Sequence, residues 1–317
     1  MSRILRYNES INRFFKKNSC ISKDNLENKE YIEKNINKYD HICSILLLTV
    51  LNSHTKKNNL KIHGYYIACG IDIINLIVHL IDDRIYNEGI LGKDKLTNIC
   101  IELILCIYKS LSQNIETIKY ITKENTVDIY IYCLNYLNNK LYDIIKIEDL
   151  SSNKKMTKND IITIKSINNE NILKLQKMFK LDRYILIKNI ESTYGNMCQI
   201  ALVIGWILGG GDDKMIENLE HLGIHLGIML KICYDYENIE NDINNAIKTT
   251  KNIVVNIGIN DSFNLFMDSK VKFIEGCLTL GIYTITTKEI IDLIESKIDK
   301  CLENSNIDMK STYSSFS

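Results

Sequence analysis

Two short stretches gather oxygen-bearing side chains where an apolar helical pattern stops. "NLIVHLIDDRIY" (75–86) ends in Asp82 and Asp83, and "LGIHLGIMLKICYDYENIEND" (222–242) carries Lys231, Tyr234, Asp235, Glu237 and Asn238. On a helix, Asp82 and Tyr86, Asp83 and Asn87, Lys231 and Asp235, and Asp235 and Asn238 are three or four residues apart and share a face. Carboxylates projected from two facing helices suit Mg²⁺, which takes oxygen ligands, keeps several waters and bridges to substrate phosphates. Such a metal neutralises charge on a leaving diphosphate. Each stretch also has a plainer reading. An Asp-Asp pair at a helix end is common, and "GGGDD" (209–213) reads as a Gly C-cap followed by an Asp N-cap. Asp235 could simply pair with Lys231 on a solvated face.

Helices must position these residues. The chain has 0 prolines, so the usual helix stops and X-Pro turns are unavailable. Apolar stripes at helical spacing run through Ile42, Ile45, Leu46 and Val50; Ile71, Ile74, Leu76, Val78 and Ile81; Leu96, Ile99, Leu103 and Ile107; and Val127, Ile131, Leu134 and Leu141. No strand-like alternation of any length occurs. Helix connections are expected at 52–59, 87–94, 146–160, 209–213 and 259–262, where polar residues and Gly cluster. The expectation is all-α: a single helical bundle with a central cavity over 31–304. A basic segment (1–30) precedes it and a polar tail (305–317) follows. Bundles of this kind place ligand sites between facing helices.

With 317 residues, the chain is long enough to bury most of its unfolded surface. Lys plus Arg and Asp plus Glu are both 39, which lacks the basic excess a general nucleic-acid binder needs. The 10 cysteines form no CxxC pair and sit in apolar context. That reads as small buried hydrophobes in a reducing compartment, so a cytoplasmic location is expected and structural zinc is not. No apolar run is long enough to read as a transmembrane segment. Arg3, Arg6, Arg13, Lys16 and Lys17 make the N-terminus basic. An ordinary first helix explains them; a transit peptide or membrane-surface helix is the alternative, and would mean an organelle.

From about Ile42 to Leu302, the order and spacing resemble the trans-isoprenyl diphosphate synthases (polyprenyl synthetases). That family has "DDxxD" at the end of one apolar helix and "GxxFQxxDDxxD", or "DDYxN" in one group, at the end of a later one. Here "LIDDRIY" resembles the first and "LGIMLKICYDYEN" the second. Between them "TYGNMCQIALVIGW" (193–206) resembles "KTGxxFxxAxxxG", and "GKDKL" (92–96) resembles a "GDxL". The chain departs from the pattern at several places. Tyr86 and Tyr234 replace acids, Leu230–Lys231 stands for "FQ", and Thr193–Tyr194 for the Lys-Thr pair. The Arg-Arg-Gly is missing, and Lys56, Lys57 and Lys61 are the nearest basic cluster to a "GKRxR".

The resemblance implies an Mg²⁺-dependent prenyltransferase acting on isoprenoid diphosphates. In the family the metal bridges the acidic helices to an allylic diphosphate; ionisation leaves a carbocation that isopentenyl diphosphate attacks. Carried onto this chain, Asp82, Asp83 and Asp235 become the catalytic acids and, with Asn238, the metal ligands, with Glu237 assisting. Lys231, Thr193, His79, Lys56 and Lys57 become substrate contacts. His79, with Ile77 and Val78, falls where chain length is set; it could hydrogen-bond Asp83 or be packed in the core. A homodimer, or a heterodimer with a related synthase, is also implied. Two alternatives stand beside an active synthase: a catalytically inactive relative acting as a binding or regulatory subunit, and a class I terpene cyclase-like enzyme.

Overall fold

The computed structural model describes residues 2–18, 20–21, 26–36, 40–54, 64–82, 84–122, 125–146, 181–244 and 251–304. Among them there is no strand. The helices are α1 (Arg3–Asn18), α2 (Leu26–Ile36), α3 (Ile42–His54), α4 (Tyr65–Asp82), α5 (Arg84–Leu91), α6 (Lys93–Thr122) and α7 (Val127–Ile145). After the expected connection at 146–160, most of which lies outside the described residues, come α8 (Arg183–Ile190) and α9 (Asn196–Leu208). Then follow α10 (Ile216–Asn244), α11 (Ile253–Ile257), α12 (Ile259–Thr279) and α13 (Ile285–Asn304).

The centre of the bundle is α9, whose residues are all buried. An element apolar on every side is stable only when surrounded, and α9 packs against α3, α4, α7 and α10. Around it, α4 packs on α6, and α10 packs on α12 and α13. Close approach to α9 is built into the sequence: a Cβ on Gly205 would fall 2.7 Å from the Leu47 carbonyl oxygen of α3. Among the described residues α4 has the length and apolarity of a membrane span, but most of it is buried in the bundle. Within α4, Asp72 accepts from Ser44 Oγ at 2.5 Å and lies 2.8 Å from His41 Nδ1, all three buried.

Turn chemistry follows the sequence closely at most connections. Asp182 caps α8 by accepting the backbone N–H groups of Tyr184 and Ile185. In "GGGDD", Gly209 ends α9, Gly210 takes the left-handed conformation (φ 81°), and Asp212 caps the short 3₁₀ turn leading into α10. Two breaks are narrower than expected. Residues 87–91 continue α5, leaving Gly92 (φ 82°) as the hinge before α6. "INDS" (259–262) is the first turn of α12, because Gly258 (φ 99°) makes the break one residue earlier. Asn, Asp and Ser favour helix starts as readily as loops. The basic segment places α1 against α4 and α13, burying Ile4, Ile11 and Phe15. Glu289 of α13 accepts from Ser2 Oγ and the Ile4 backbone N–H, fastening the start of α1.

Candidate functional site

The first acidic stretch is the C-terminal end of α4, and the second is the later half of α10. Between them runs a single π-helical turn, Glu191–Gly195, joining α8 to α9. Such one-turn insertions re-aim the side chains around them. This one packs on both α4 and α10 and carries Tyr194 between them. The Tyr194 hydroxyl lies 3.2 Å from His79 Nδ1 and 3.5 Å from Asp82 Oδ2. Gly227 of α10 makes the approach possible, since a Cβ there would lie 2.4 Å from the Gly195 nitrogen.

Lys231 spans the remaining gap. Its ammonium is 2.6 Å from Asp82 Oδ2 on α4 and 2.7 Å from Asp235 Oδ1 one turn further along α10. All three side chains are out of solvent: 4% of Lys231, 2% of Asp82 and none of Asp235 is exposed. The contact to Asp235 is an ion pair rather than a well-aligned hydrogen bond. The rings of Tyr194 and Tyr234 each have their centre 5.5 Å from the ammonium, so the cation also lies near two π-faces. His79 completes the wall, with its ring 4.5 Å from that of Tyr234.

Asp235 is committed twice. Its second oxygen accepts the Ile253 backbone N–H at 2.7 Å, at the start of α11. Asn252 caps the same helix: its Oδ1 accepts from Val255, and its Nδ2 donates to the Asp235 carbonyl and to Asp242 Oδ2, both at 2.8 Å. Asp235 therefore ties α11 to α10 while it holds Lys231.

The electrostatics follow from burial and company. Burial alone would lower the Lys231 pKa, but Asp235 and Asp82 outweigh it and hold the group above its ordinary value, as an ammonium. Burial pushes Asp82 up, yet Lys231 and Lys251 together bring it below the usual carboxylate range. Asp235 goes the other way. Burial pushes it up to about 8; Lys231 opposes the shift, and Asp242 and Asp82 add to it. His79 is driven down to about 3 by burial, so it is a neutral imidazole.

The remaining sequence candidates fall as follows. Asn238 is half-buried and donates back to the Tyr234 carbonyl. Glu237 is exposed and lies 3.2 Å from Lys297 of α13. Thr193 is buried in the π-turn, and its hydroxyl donates to the Asn189 carbonyl at 2.7 Å. Asp83, Lys56 and Lys57 lie outside the described residues. Three contributors escaped sequence reading: Tyr194 as the bridge, Asn252 as the cap and Asp242 as its second acceptor. Only Asn252 left a signal, an Asn immediately before the apolar "IVVNI".

A divalent ion bridging Asp82 and Asp235 does not fit this arrangement. Mg²⁺ requires oxygen ligands at roughly 2.0–2.1 Å in octahedral geometry, and the Lys231 ammonium stands at that position. Asp82 Oδ1 is buried without a hydrogen-bond partner, which is one ligand and not a set. Among the described residues no three His, Cys, Asp or Glu side chains group as a metal site.

Among the described residues the chain is an all-α bundle in which the end of α4 and the later half of α10 meet beside a π-turn, and comparison with solved structures places this fold. Over 94% of this chain and 99% of the other, it superposes on a putative farnesyl-diphosphate synthase from Marinomonas sp. MED121, with a TM-score of 0.60 at 11% identity. A geranyltranstransferase from Thermotoga maritima gives 0.59 at 13% identity over 92% and 99% of the two chains. A Helicobacter pylori geranyltransferase complexed with magnesium and isoprenyl diphosphate gives 0.60 at 14% identity over 95% and 99%. No family model matches the sequence, and no curated protein does. The chain has the fold of the prenyl diphosphate synthases, reached with a strongly divergent sequence.

Proposed function

We propose that this protein is a non-catalytic relative of the prenyl diphosphate synthases, serving as a binding or regulatory subunit for an active synthase of the same fold. One observation carries the reading: Lys231 is ion-paired to both Asp82 and Asp235. An Asp-rich site works by holding divalent metal against a diphosphate. With the lysine in place the cluster already holds its one cation, and an ammonium cannot bridge both carboxylates to a diphosphate as a hydrated divalent ion does. The engagement of both Asp235 oxygens supports the same reading, since a ligand that anchors a neighbouring helix is not free to move onto a metal. A partner of like fold is supported by apolar side chains left exposed on α6 and α7: Ile101, Leu105, Val127 and Ile131.

A second reading, a divergent synthase condensing isopentenyl diphosphate with an allylic diphosphate, is favoured by the unpartnered Asp82 Oδ1, which leaves one acid oxygen free. Purified protein with Mg²⁺, labelled isopentenyl diphosphate and farnesyl or geranylgeranyl diphosphate separates the two. The non-catalytic reading expects no chain elongation from this chain alone, and a changed rate or product length when it is mixed with an active synthase. Mg²⁺-dependent elongation by this chain alone would establish the second reading and overturn the first.

A further inference from the structure

At the far end of α9 from the lysine cluster lies a cleft of about 360 Å³, open to solvent. Small-ligand pockets span roughly 300–1,000 Å³. The 13 residues of α9, rising about 1.5 Å each, set the cleft about 20 Å from the π-turn. Its floor is Trp206, the single tryptophan of the chain, with Leu280; they are 4% and 7% exposed. Exposed Met215 adds an apolar edge. Trp206 is fixed in place: its indole N–H donates to the Asp212 carbonyl at 3.0 Å, and a Cβ on Gly211 would fall 2.1 Å from its Nε1. The polar part of the lining has one sign. Both α9 and α12 end here, and helix C-termini carry partial negative charge. Asp212 adds a full one. Its Oδ1 accepts the Lys214 backbone N–H at 3.0 Å, which caps the 3₁₀ turn; among the described residues no hydrogen bond or ion pair engages Oδ2. Lys214 itself is exposed and outside the lining, and among the described residues no Lys, Arg or His lines the cleft. An anion would meet a carboxylate and two helix C-termini, and a neutral apolar molecule would leave them unused. A cation on an apolar body uses both halves, and an indole is a favourable neighbour for it.

We propose that this cleft binds an organic cation, a primary ammonium carried on an apolar or aromatic body, with Asp212 as the charge partner and Trp206, Met215 and Leu280 as the apolar bed. The inference goes beyond the non-catalytic reading and does not depend on it, since no residue of the cleft belongs to the Asp82–Lys231–Asp235 cluster. Such an ammonium is supplied either by a free amine or by a lysine side chain of a partner protein, and both present the same chemistry to Asp212. The charge partner is exposed, so it should favour the ammonium over a neutral molecule of the same shape by about three- to fivefold.

With one tryptophan in the chain, selectively excited indole emission reports this cleft alone. The full chain is titrated with phenethylammonium and with an end-blocked lysine peptide. Each is set beside its neutral counterpart, phenylethanol or the same peptide with norleucine, and phenylacetate serves as the anion. Ligand-observed NMR on the same solutions gives each affinity even where emission does not change. Asp212→Asn is the discriminating variant. Its amide oxygen still caps the 3₁₀ turn, and Trp206 donates to the backbone carbonyl there, so the fold is kept. At least one ammonium probe should bind about three- to fivefold tighter than its neutral counterpart, and phenylacetate should bind least. Asp212→Asn should bring that probe down to the level of its neutral counterpart, whose own affinity should not change. Whichever ammonium probe binds tighter names the source, a free amine or a partner's lysine, and either result upholds the proposal. The inference is overturned if neither ammonium probe binds by about 10 mM, if the neutral or anionic molecules bind as tightly, or if Asp212→Asn leaves the ammonium affinity unchanged. Should Asp212→Asn melt well below the unaltered protein, the comparison of charged and neutral probes on the unaltered protein decides alone. Turnover in the elongation assay bears on the non-catalytic reading and leaves this titration untouched.

Discussion

Gly227 is the position where a single methyl group should do most damage. An ideal Cβ there lies 2.4 Å from the Gly195 nitrogen, 2.6 Å from its Cα and 2.7 Å from the Tyr194 carbonyl carbon. Comfortable non-bonded contacts are about 3.5–4.0 Å, so Gly227→Ala must push α10 and the π-turn apart by about 1 Å. All three obstacles are main chain and cannot rotate away. Overpacking of this kind costs about 1–3 kcal/mol or more, against a gain of about 1 kcal/mol from replacing Gly inside a helix. At the upper end of that cost the net expectation is a loss of roughly 2 kcal/mol, or about 3 °C in melting temperature for a chain of 317 residues. Gly195, on the other side of the same contact, is the control. Its Cβ would meet the Ile190 carbonyl oxygen at 3.4 Å and the Ile224 Cα at 3.7 Å, and its backbone is helical (φ −59°, ψ −53°). Gly195→Ala should therefore be neutral or stabilising by up to about 1 kcal/mol. Urea unfolding followed by circular dichroism gives both values. Equal stabilities for the two variants, or a larger loss from Gly195→Ala, would refute the claim that Gly227 sets the approach of α10 to the π-turn.

Three further outcomes are expected. His79 has its folded pKa depressed to about 3 against an ordinary 6.5, so its contribution is full above about pH 6.5 and is lost as pH falls toward 3. At 1.36 kcal/mol per unit this reaches about 5 kcal/mol. The advantage of the unaltered protein over His79→Gln should shrink in urea melts between pH 7 and pH 4, and parallel curves would rule this out. Lys231→Met should cost about 3–5 kcal/mol, because it leaves buried carboxylates without their cation, and Asp82→Asn should cost less, because Lys231 keeps its pair with Asp235. Their double variant should cost less than the two together by at least about 1 kcal/mol, and strict additivity in equilibrium unfolding would show that the pair is not coupled. Asn252→Ala removes the α11 cap and two donated hydrogen bonds, so it should cost about 2 kcal/mol. A loss under about 0.5 kcal/mol would mean that those bonds do not hold α11 in place.

Much of the architecture was legible because most helices outside the central α9 bury one face and break at Gly, Asn and Asp. The runs through Ile42–Val50 and Ile71–Ile81 fall inside α3 and α4. "GGGDD" could be read because left-handed Gly and Asp capping are local effects. "INDS" could not, since the same residues begin a helix when a left-handed Gly precedes them. At the site, local spacing showed Lys231 and Asp235 as neighbours but left open whether they sit on a solvated face or line a buried site. The spacing is identical for an exposed pair and a buried one, and only packing against α4 and the π-turn distinguishes them. One clue was present: Lys231 interrupts the run Ile228, Met229, Leu230, Ile232, Cys233 and has apolar residues on both sides. Thr193 shows the opposite limit. Its hydroxyl is consumed by the carbonyl of Asn189, which no alignment of motifs can reveal.

The triad of Asp82, Lys231 and Asp235 bears on how this lineage can change over time. Once the lysine is present, losing either aspartate leaves the buried ammonium one carboxylate short, and losing the lysine strands two acids. Selection for folding alone then preserves both aspartates, whether or not any metal is ever bound. Persistence of these acids among descendants would be a record of mutual dependence, and only their persistence in a chain lacking the lysine would testify to chemistry.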